Sequence, residues 1–240
     1  MRYERCRTLF GEDFAKIQKA KILLLGVGGV GSFALDCLYR SGVRDITIVD
    51  FDTYDITNQN RQIGSEHLGQ KKVEVLERLY PGIKKIEAKI DNEWVENFDF
   101  SPYDLVLDAI DDTKAKVALA KKCAPKLISA TGSAKKCDPT QIRADSIWKT
   151  YGDPFAKKLR SELKRSGFTG DFLAIFSPEP PKCKEKGSFV GVTGAFGLTL
   201  CAKTLEKIVN ETRNSHSDTS IQRREGDTPD STRSKKSPSQ

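Results

Sequence analysis

Short apolar runs recur along the chain: KILLLGV at 21–27, DITIVDF at 45–51, KKIEAKI at 84–90, DLVLDAI at 104–110 and KLISATG at 126–132. Each is too short for a typical helix, and most are rich in residues that suit a pleated surface. Between them, stretches such as SFALDCLYRSG and KKVEVLERLY repeat their apolar positions every three or four residues, as one face of a helix does. This alternation predicts parallel strands joined by right-handed crossovers, with helices on both faces of the sheet. QIRADSIWK and FLAIFS are later strand-like runs that extend the sheet in a mixed sense. The longest uncharged stretch, GSFVGVTGAFGLTLCA at 187–202, falls short of the roughly 20 apolar residues of a membrane span. Its glycines suit close packing, so it reads as a buried helix. The expected fold is α/β, a Rossmann-like doubly wound, mostly parallel sheet with mixed C-terminal strands. It occupies residues 1–209 and includes an N-terminal helix of its own.

Beyond residue 209 apolar side chains almost vanish. Residues 210–240 cannot bury enough surface to offset their ordering, so a disordered polar tail is expected. That tail carries six basic and five acidic residues, so of the net charge of +7 all but +1 belongs to the body. A body this basic points to a polyanionic partner. The opening residues, MRYERCRTLF, are charged throughout and hold no apolar core segment, which argues against a secretory signal. With no membrane span either, a soluble cytoplasmic protein is expected. Six cysteines, at 6, 37, 123, 137, 183 and 201, never take C-x-x-C spacing, and two histidines exclude a multi-histidine metal site. Cys37 and Cys201 fall in apolar helical stretches and read as core. Cys183, between lysines that favour a thiolate, is the one candidate reactive thiol, with an ordinary surface cysteine as the simpler reading.

The chemistry concentrates in KILLLGVGGVGSFALDCLYRSGVRDITIVDFDTYDITNQNRQ, residues 21–62. Gly26, Gly28, Gly29 and Gly31 close a strand and open a helix, a turn that brings backbone close to phosphate and aims a helix N-terminus at its charge. Asp50 ends the next strand, where an acid can accept hydrogen bonds from ribose hydroxyls. These features alone also suit an NAD-linked oxidoreductase. The polar run that follows does not. Asp52, Asn58, Asn60 and Arg61, then Lys72, then Asp108 and Asp111 bring cations and carboxylates to the carboxyl edge of the sheet. Arg61 and Lys72 suit phosphate oxygens, one as a planar fork and one as a point charge. Asp111 suits Mg²⁺, which takes one or two carboxylates together with phosphates. Further on, PFAKKLRSELKR places Phe155, Leu159 and Leu163 on one helix face and Lys157, Lys158, Arg160, Lys164 and Arg165 on the others. That basic array suits nucleic-acid phosphates, or is simply a solvated face.

G-x-G-G-x-G, DFD, N-x-x-R-Q, G-x-x-K and D-A-I-D together resemble the ubiquitin-activating-enzyme-like adenylating family, from Arg2 to about Val209. The resemblance implies ATP and Mg²⁺ as cofactors and adenylation of a carboxylate. It puts Gly29 on phosphate, Asp50 on ribose, Asn58, Arg61 and Lys72 on the triphosphate, and Asp111 on the metal. Arg5 matches an arginine that reaches into the neighbouring subunit's ATP site, which implies a homodimer, with Arg7 as the other choice. CDPTQIRADSIWKTYGDPFAKKLRSELKR, residues 137–165, is similar to the branch that cyclises N6-threonylcarbamoyladenosine beside the tRNA anticodon. In that branch the threonyl carboxylate is adenylated and the substrate's own carbamoyl group closes the ring, so no enzyme thiol is needed. The implied partner is tRNA; a monovalent cation and a cysteine desulfurase or sulfur-acceptor system are further candidates. Activation of a small sulfur-carrier protein is the alternative, although the zinc cysteines frequent in that branch are absent. One stretch departs from the pattern. TGSAKKCDPT has Lys135 and Lys136 where a glycine-rich loop is expected, either narrowing the substrate entrance or adding phosphate contacts.

Overall fold

Strand β1 (Lys21–Leu25) is the centre from which the sheet is wound. It pairs in parallel with β2 (Asp45–Asp50) on one side and with β4 (Leu105–Asp108) on the other. Together with β3 (Lys84–Glu87), β5 (Leu127–Ala130), β6 (Arg143–Ser146) and β7 (Leu173–Phe176), the computed structural model forms one seven-stranded sheet in the order β3-β2-β1-β4-β5-β7-β6. Every pairing is parallel except that of β6 with β7. All the strand-like runs are strands, somewhat shorter than their apolar stretches. β1, for example, ends at Leu25 because Gly26 turns the chain away at φ +82°.

Residues 2–222 are described, with side chains to Asn210. Successive residues of β1 point to opposite faces and so divide the core. Ile22 and Leu24 join a cluster with Leu35 and Leu38 of α3 (Gly31–Ser41), Val73 and Leu76 of α4 (Lys72–Leu79), and Phe196 and Leu200 of the last helix. Leu23 and Leu25 join Val95 of α5 (Asn92–Asn97), Leu119 of α6 (Thr113–Cys123), and Leu159 and Leu163 of α7 (Pro154–Arg165). Each such leucine contributes roughly 1.5–3 kcal/mol by leaving water. Helices on both faces make the sheet doubly wound, as expected.

Two helices precede the sheet, α1 (Glu4–Phe10) and α2 (Phe14–Lys19). They cover the far end of α3, where Phe14 lies against Gly42 and Tyr3 packs on Phe14. The last helix, α8 (Val190–Gln222), is the buried helix expected at its N-terminal half. At Gly197 any Cβ would lie 2.4 Å from the Val30 carbonyl, so glycine lets α8 rest directly on the backbone of α3. The helix continues past position 209, where the sequence placed the end of the domain; residues 223–240 of the tail lie outside the described residues. Among the described residues no helix is long and apolar enough to cross a membrane.

Candidate active site

Strand order reverses between β1 and β4, and open α/β sheets bind ligands in the crevice beyond such a switch point. The glycine loop lies there. Gly26 donates to Val49 O at 2.8 Å, and a Cβ on it would meet the Ala109 carbonyl at 3.0 Å, so the β1 and β4 exits touch. At Gly31, the first residue of α3, a Cβ would sit 1.9 Å from Gly26 O. Only glycine lets the loop close onto the helix N-terminus, whose amides and dipole favour an anion. Asp50 accepts from the amides of Val27 at 2.8 Å and Asp52 at 2.9 Å, tying this loop to the end of β2.

The long segment after β2 is folded back by Tyr54. Its ring is buried, its hydroxyl donates to Ile63 O at 2.6 Å, and Thr53 pairs with Lys71. Asp55 then caps a turn of 3-10 helix, accepting from the Thr57 amide at 2.6 Å, while Asn58 Oδ1 accepts from the Asp55 amide at 3.2 Å. The Thr57 hydroxyl, then its amide, hold the Asp55 carboxyl below its ordinary range, with Lys72 and Arg61 lowering it further. Arg61 donates to Thr57 O at 2.6 Å and Asn60 Oδ1 at 2.9 Å, and its aliphatic stem passes over Gly29. Asn60 in turn donates to Ser188 O at 3.1 Å. Lys72 opens α4 with only 5% of its surface exposed, and its ammonium lies 2.9 Å from Asp52. Gly26, Gly28, Gly29, Gly31, Asp50, Asp52, Asn58, Arg61 and Lys72 therefore share one edge. Loop amides and a helix N-terminus with two cations beside them suit a nucleoside triphosphate.

Two carboxylates leave β4 with different fates. Asp108 was expected to face the ligand. It is instead fully buried, with its oxygens taken by the Lys116 ammonium at 2.8 Å, the Ser129 hydroxyl at 2.6 Å and the Ile110 amide at 3.1 Å. It braces the turn rather than presenting an oxygen to a ligand. Asp111, beyond that turn, is exposed and makes no hydrogen bond or ion pair among the described residues. No group of three or more His, Cys, Asp and Glu side chains there is arranged to hold a metal, so a cation at Asp111 needs oxygens from elsewhere, as Mg²⁺ on phosphates does.

The departure at Lys135 and Lys136 has a structural explanation. Lys135 adopts φ +67°, a left-handed conformation that glycine takes at little cost. Its ammonium donates to Lys184 O at 2.5 Å, and its amide and carbonyl pair with Gly187 and Lys182. Lys136 is 3% exposed, lies 3.2 Å from Asp153 and also donates to Ser177 O. The Lys136 ammonium is buried and not displayed to nucleic acid, contrary to expectation, whereas half-buried Lys135 ties its loop to Lys184 through an exposed contact. Asp153 also accepts from Thr131 and caps α7 at Phe155 and Ala156. Along α7, Lys157, Lys158 and Lys164 are exposed, Arg165 pairs with Glu162 at 2.8 Å, and half-buried Arg160 donates to Thr150.

Arg5 lies on α1 at the far end of α3, away from the glycine loop of its own chain. Arg7 is engaged, with its guanidinium 5.3 Å from the Phe14 ring centre, whereas exposed Arg5 has no such contact among the described residues. Sequence reasoning missed Asp55, Lys116 and Glu179. D-I-T-N is a readable capping signal for Asp55. Glu179, which accepts from the Cys137 and Asp138 amides, carries no such signal. Cys183 is exposed and donates to Glu185 O at 3.2 Å.

The model of the ThiF family matches residues 3–238. The chain belongs to the ThiF family. Within it, the chain is 38% identical over 182 residues to tRNA threonylcarbamoyladenosine dehydratase of Bacillus subtilis, covering 71% of each protein. It is 34% identical over 219 residues to molybdopterin-synthase adenylyltransferase of Haemophilus influenzae, covering 87% of this chain and 82% of that protein. Among solved structures, the Escherichia coli tRNA N6-threonylcarbamoyladenosine dehydratase in complex with ATP superposes with a TM-score of 0.83 at 31% identity. That match covers 89% of this chain and 96% of that one. The mostly parallel sheet with its antiparallel β6 thus shares the fold of that solved structure.

Proposed function

We propose that the protein is an ATP-dependent dehydratase that adenylates the threonyl carboxylate of N6-threonylcarbamoyladenosine in tRNA and cyclises it. What supports this reading is one sheet edge that brings the glycine loop, Arg61 and Lys72 together with the exposed basic start of α7. The glycine loop and the N-terminus of α3 receive phosphate, Asp50 the ribose, and Arg61 and Lys72 the charge that develops as pyrophosphate leaves. Asp111 would hold Mg²⁺, which when bound neutralises phosphate oxygens. The carboxylate attacks the α-phosphate and pyrophosphate departs; the tethered carbamoyl group then attacks the acyl carbon and AMP departs. Because that second nucleophile is part of the substrate, proximity supplies much of the rate and Cys183 is not required. Arg5, exposed and without a side-chain contact among the described residues, would complete the pocket of a second copy in a homodimer, as the resemblance implies.

The adenylyltransferase relative favours a second reading, activation of the C-terminus of a small sulfur-carrier protein. The two separate on substrate. Pyrophosphate exchange with labelled ATP should respond to tRNA bearing the modified adenosine; a response only to a carrier protein selects the second reading.

A further inference from the structure

Tyr151 is a feature of this edge that adenylation does not use. It is 59% exposed, yet the chain on both sides of it is fixed. Thr150 is buried and donates to Ile147 O at 2.8 Å. Gly152, at φ +67°, lies so close to Pro178 that a Cβ would come within 2.7 Å of it. Asp153 is buried and caps α7. The ring is held against buried Phe176 in an edge-on contact, with centroids 5.5 Å apart and planes at 75°. Its hydroxyl makes no hydrogen bond among the described residues. An aromatic ring on a fixed mount loses little freedom when something stacks on it.

Its surroundings define the occupant. Four residues after Asp153, α7 presents its first exposed cations, Lys157 and Lys158. On the other side Pro178 leads into PKCKEK, where Lys182, Lys184 and Lys186 are all exposed, and this loop is strapped to Lys135 and, through Ser188, to Asn60 beside Arg61. An exposed aromatic whose mount adjoins two elements bearing exposed cations has the composition of a single-stranded nucleic-acid site, in which cations follow the backbone and the ring takes a base. A rim for a protein partner would need no such cation pairing around the ring.

We infer that Tyr151 is a stacking platform for an unpaired nucleobase of the RNA, next to the adenosine being modified. This rests on the tRNA reading. The test uses the full-length protein and an anticodon stem-loop RNA carrying 2-aminopurine at loop positions, whose fluorescence is quenched by stacking. Wild-type protein should quench at one loop position, and Tyr151→Phe should do the same. Tyr151→Leu should lose the quench and about ten- to hundred-fold in RNA affinity and KM, with kcat and ATP affinity unchanged. Tyr151→Trp supplies a readout independent of truncation, because its added emission should be quenched by RNA. Unchanged affinity and quenching in the leucine variant, or no quenching of the tryptophan, overturns the platform while leaving the tRNA reading in place. Wild-type protein that does not bind the RNA at all removes that reading, and the platform with it.

Discussion

The Lys72 ammonium lies 2.9 Å from the Asp52 carboxylate, with the lysine buried and the aspartate half exposed. The pair holds a cation on the same sheet edge as the glycine loop, where an arriving phosphate would compete with Asp52 for it. Lys72→Ala should therefore keep the fold and lower ATP-dependent turnover by roughly two orders of magnitude, the scale of removing one preorganised charge. Asp52→Asn, which frees the ammonium, should change KM for ATP more than kcat. Initial rates of AMP release measure both, and wild-type kinetics in the alanine variant would remove Lys72 from the site.

Among the described residues Asp111 has no side-chain partner to lose. Asp111→Ala should leave the melting temperature unchanged and nearly abolish turnover, while Asp111→Asn should raise the Mg²⁺ concentration needed for half-maximal rate. A fully active alanine variant would show that the metal, if used, is held elsewhere.

Equal formal charges on α7 and on the neighbouring loop should behave differently. Reversing Lys157 and Lys158 to glutamate should weaken tRNA affinity and flatten its salt dependence without changing ATP affinity. Lys136→Met should act on the fold instead, because it removes the ion partner of buried Asp153 and leaves that carboxylate only the Thr131 hydroxyl and two capping amides, a loss of up to about 3–5 kcal/mol. Denaturant titration and RNA binding on the same two variants separate the effects; a stable Lys136→Met variant with weakened RNA binding would reverse the assignment.

Acid should destabilise the fold through its capping carboxylates. Asp55, Asp99 and Asp138 are each held below their ordinary range, chiefly by the hydroxyls of Thr57, Ser101 and Thr140. A folded-state value below the unfolded one means that the unfolded chain binds more protons in that interval, so stability falls as pH drops. The contribution is complete above the unfolded carboxyl value of roughly 4 and disappears as pH falls through the lowered ones. Urea midpoints should be level near neutrality and decline in that acid window, and Asp55→Asn, which can still cap but does not titrate, should flatten part of the decline.

Periodicity carried most of the fold, because strands and amphipathic helices declare themselves within a few residues. The glycine loop was legible for the same reason, as strand, turn, helix and Asp50 follow one another. What escaped is long-range. Lys136 and Asp108 look like any charged residue near a strand end, and their burial depends on Asp153 and Lys116, which only the assembled sheet brings alongside. On α7 the expected apolar face of Phe155, Leu159 and Leu163 is realised as Ala156, Leu159 and Leu163, with Phe155 half-buried against Gly132. A repeat of four residues drifts off a helix that turns every 3.6, and the sequence alone does not say which edge of the stripe faces inward. The role proposed for Arg5 would depend on a second chain and is readable only through resemblance.

The most direct measurement is the conversion of a defined substrate. Purified protein, ATP and Mg²⁺ are incubated with tRNA bearing N6-threonylcarbamoyladenosine, and the nucleosides are analysed by mass spectrometry. The account predicts a nucleoside lighter by one water, formed in step with AMP and pyrophosphate and lost in Asp111→Ala. Unaltered modified adenosine, in a preparation that releases pyrophosphate only with a carrier protein, would contradict it.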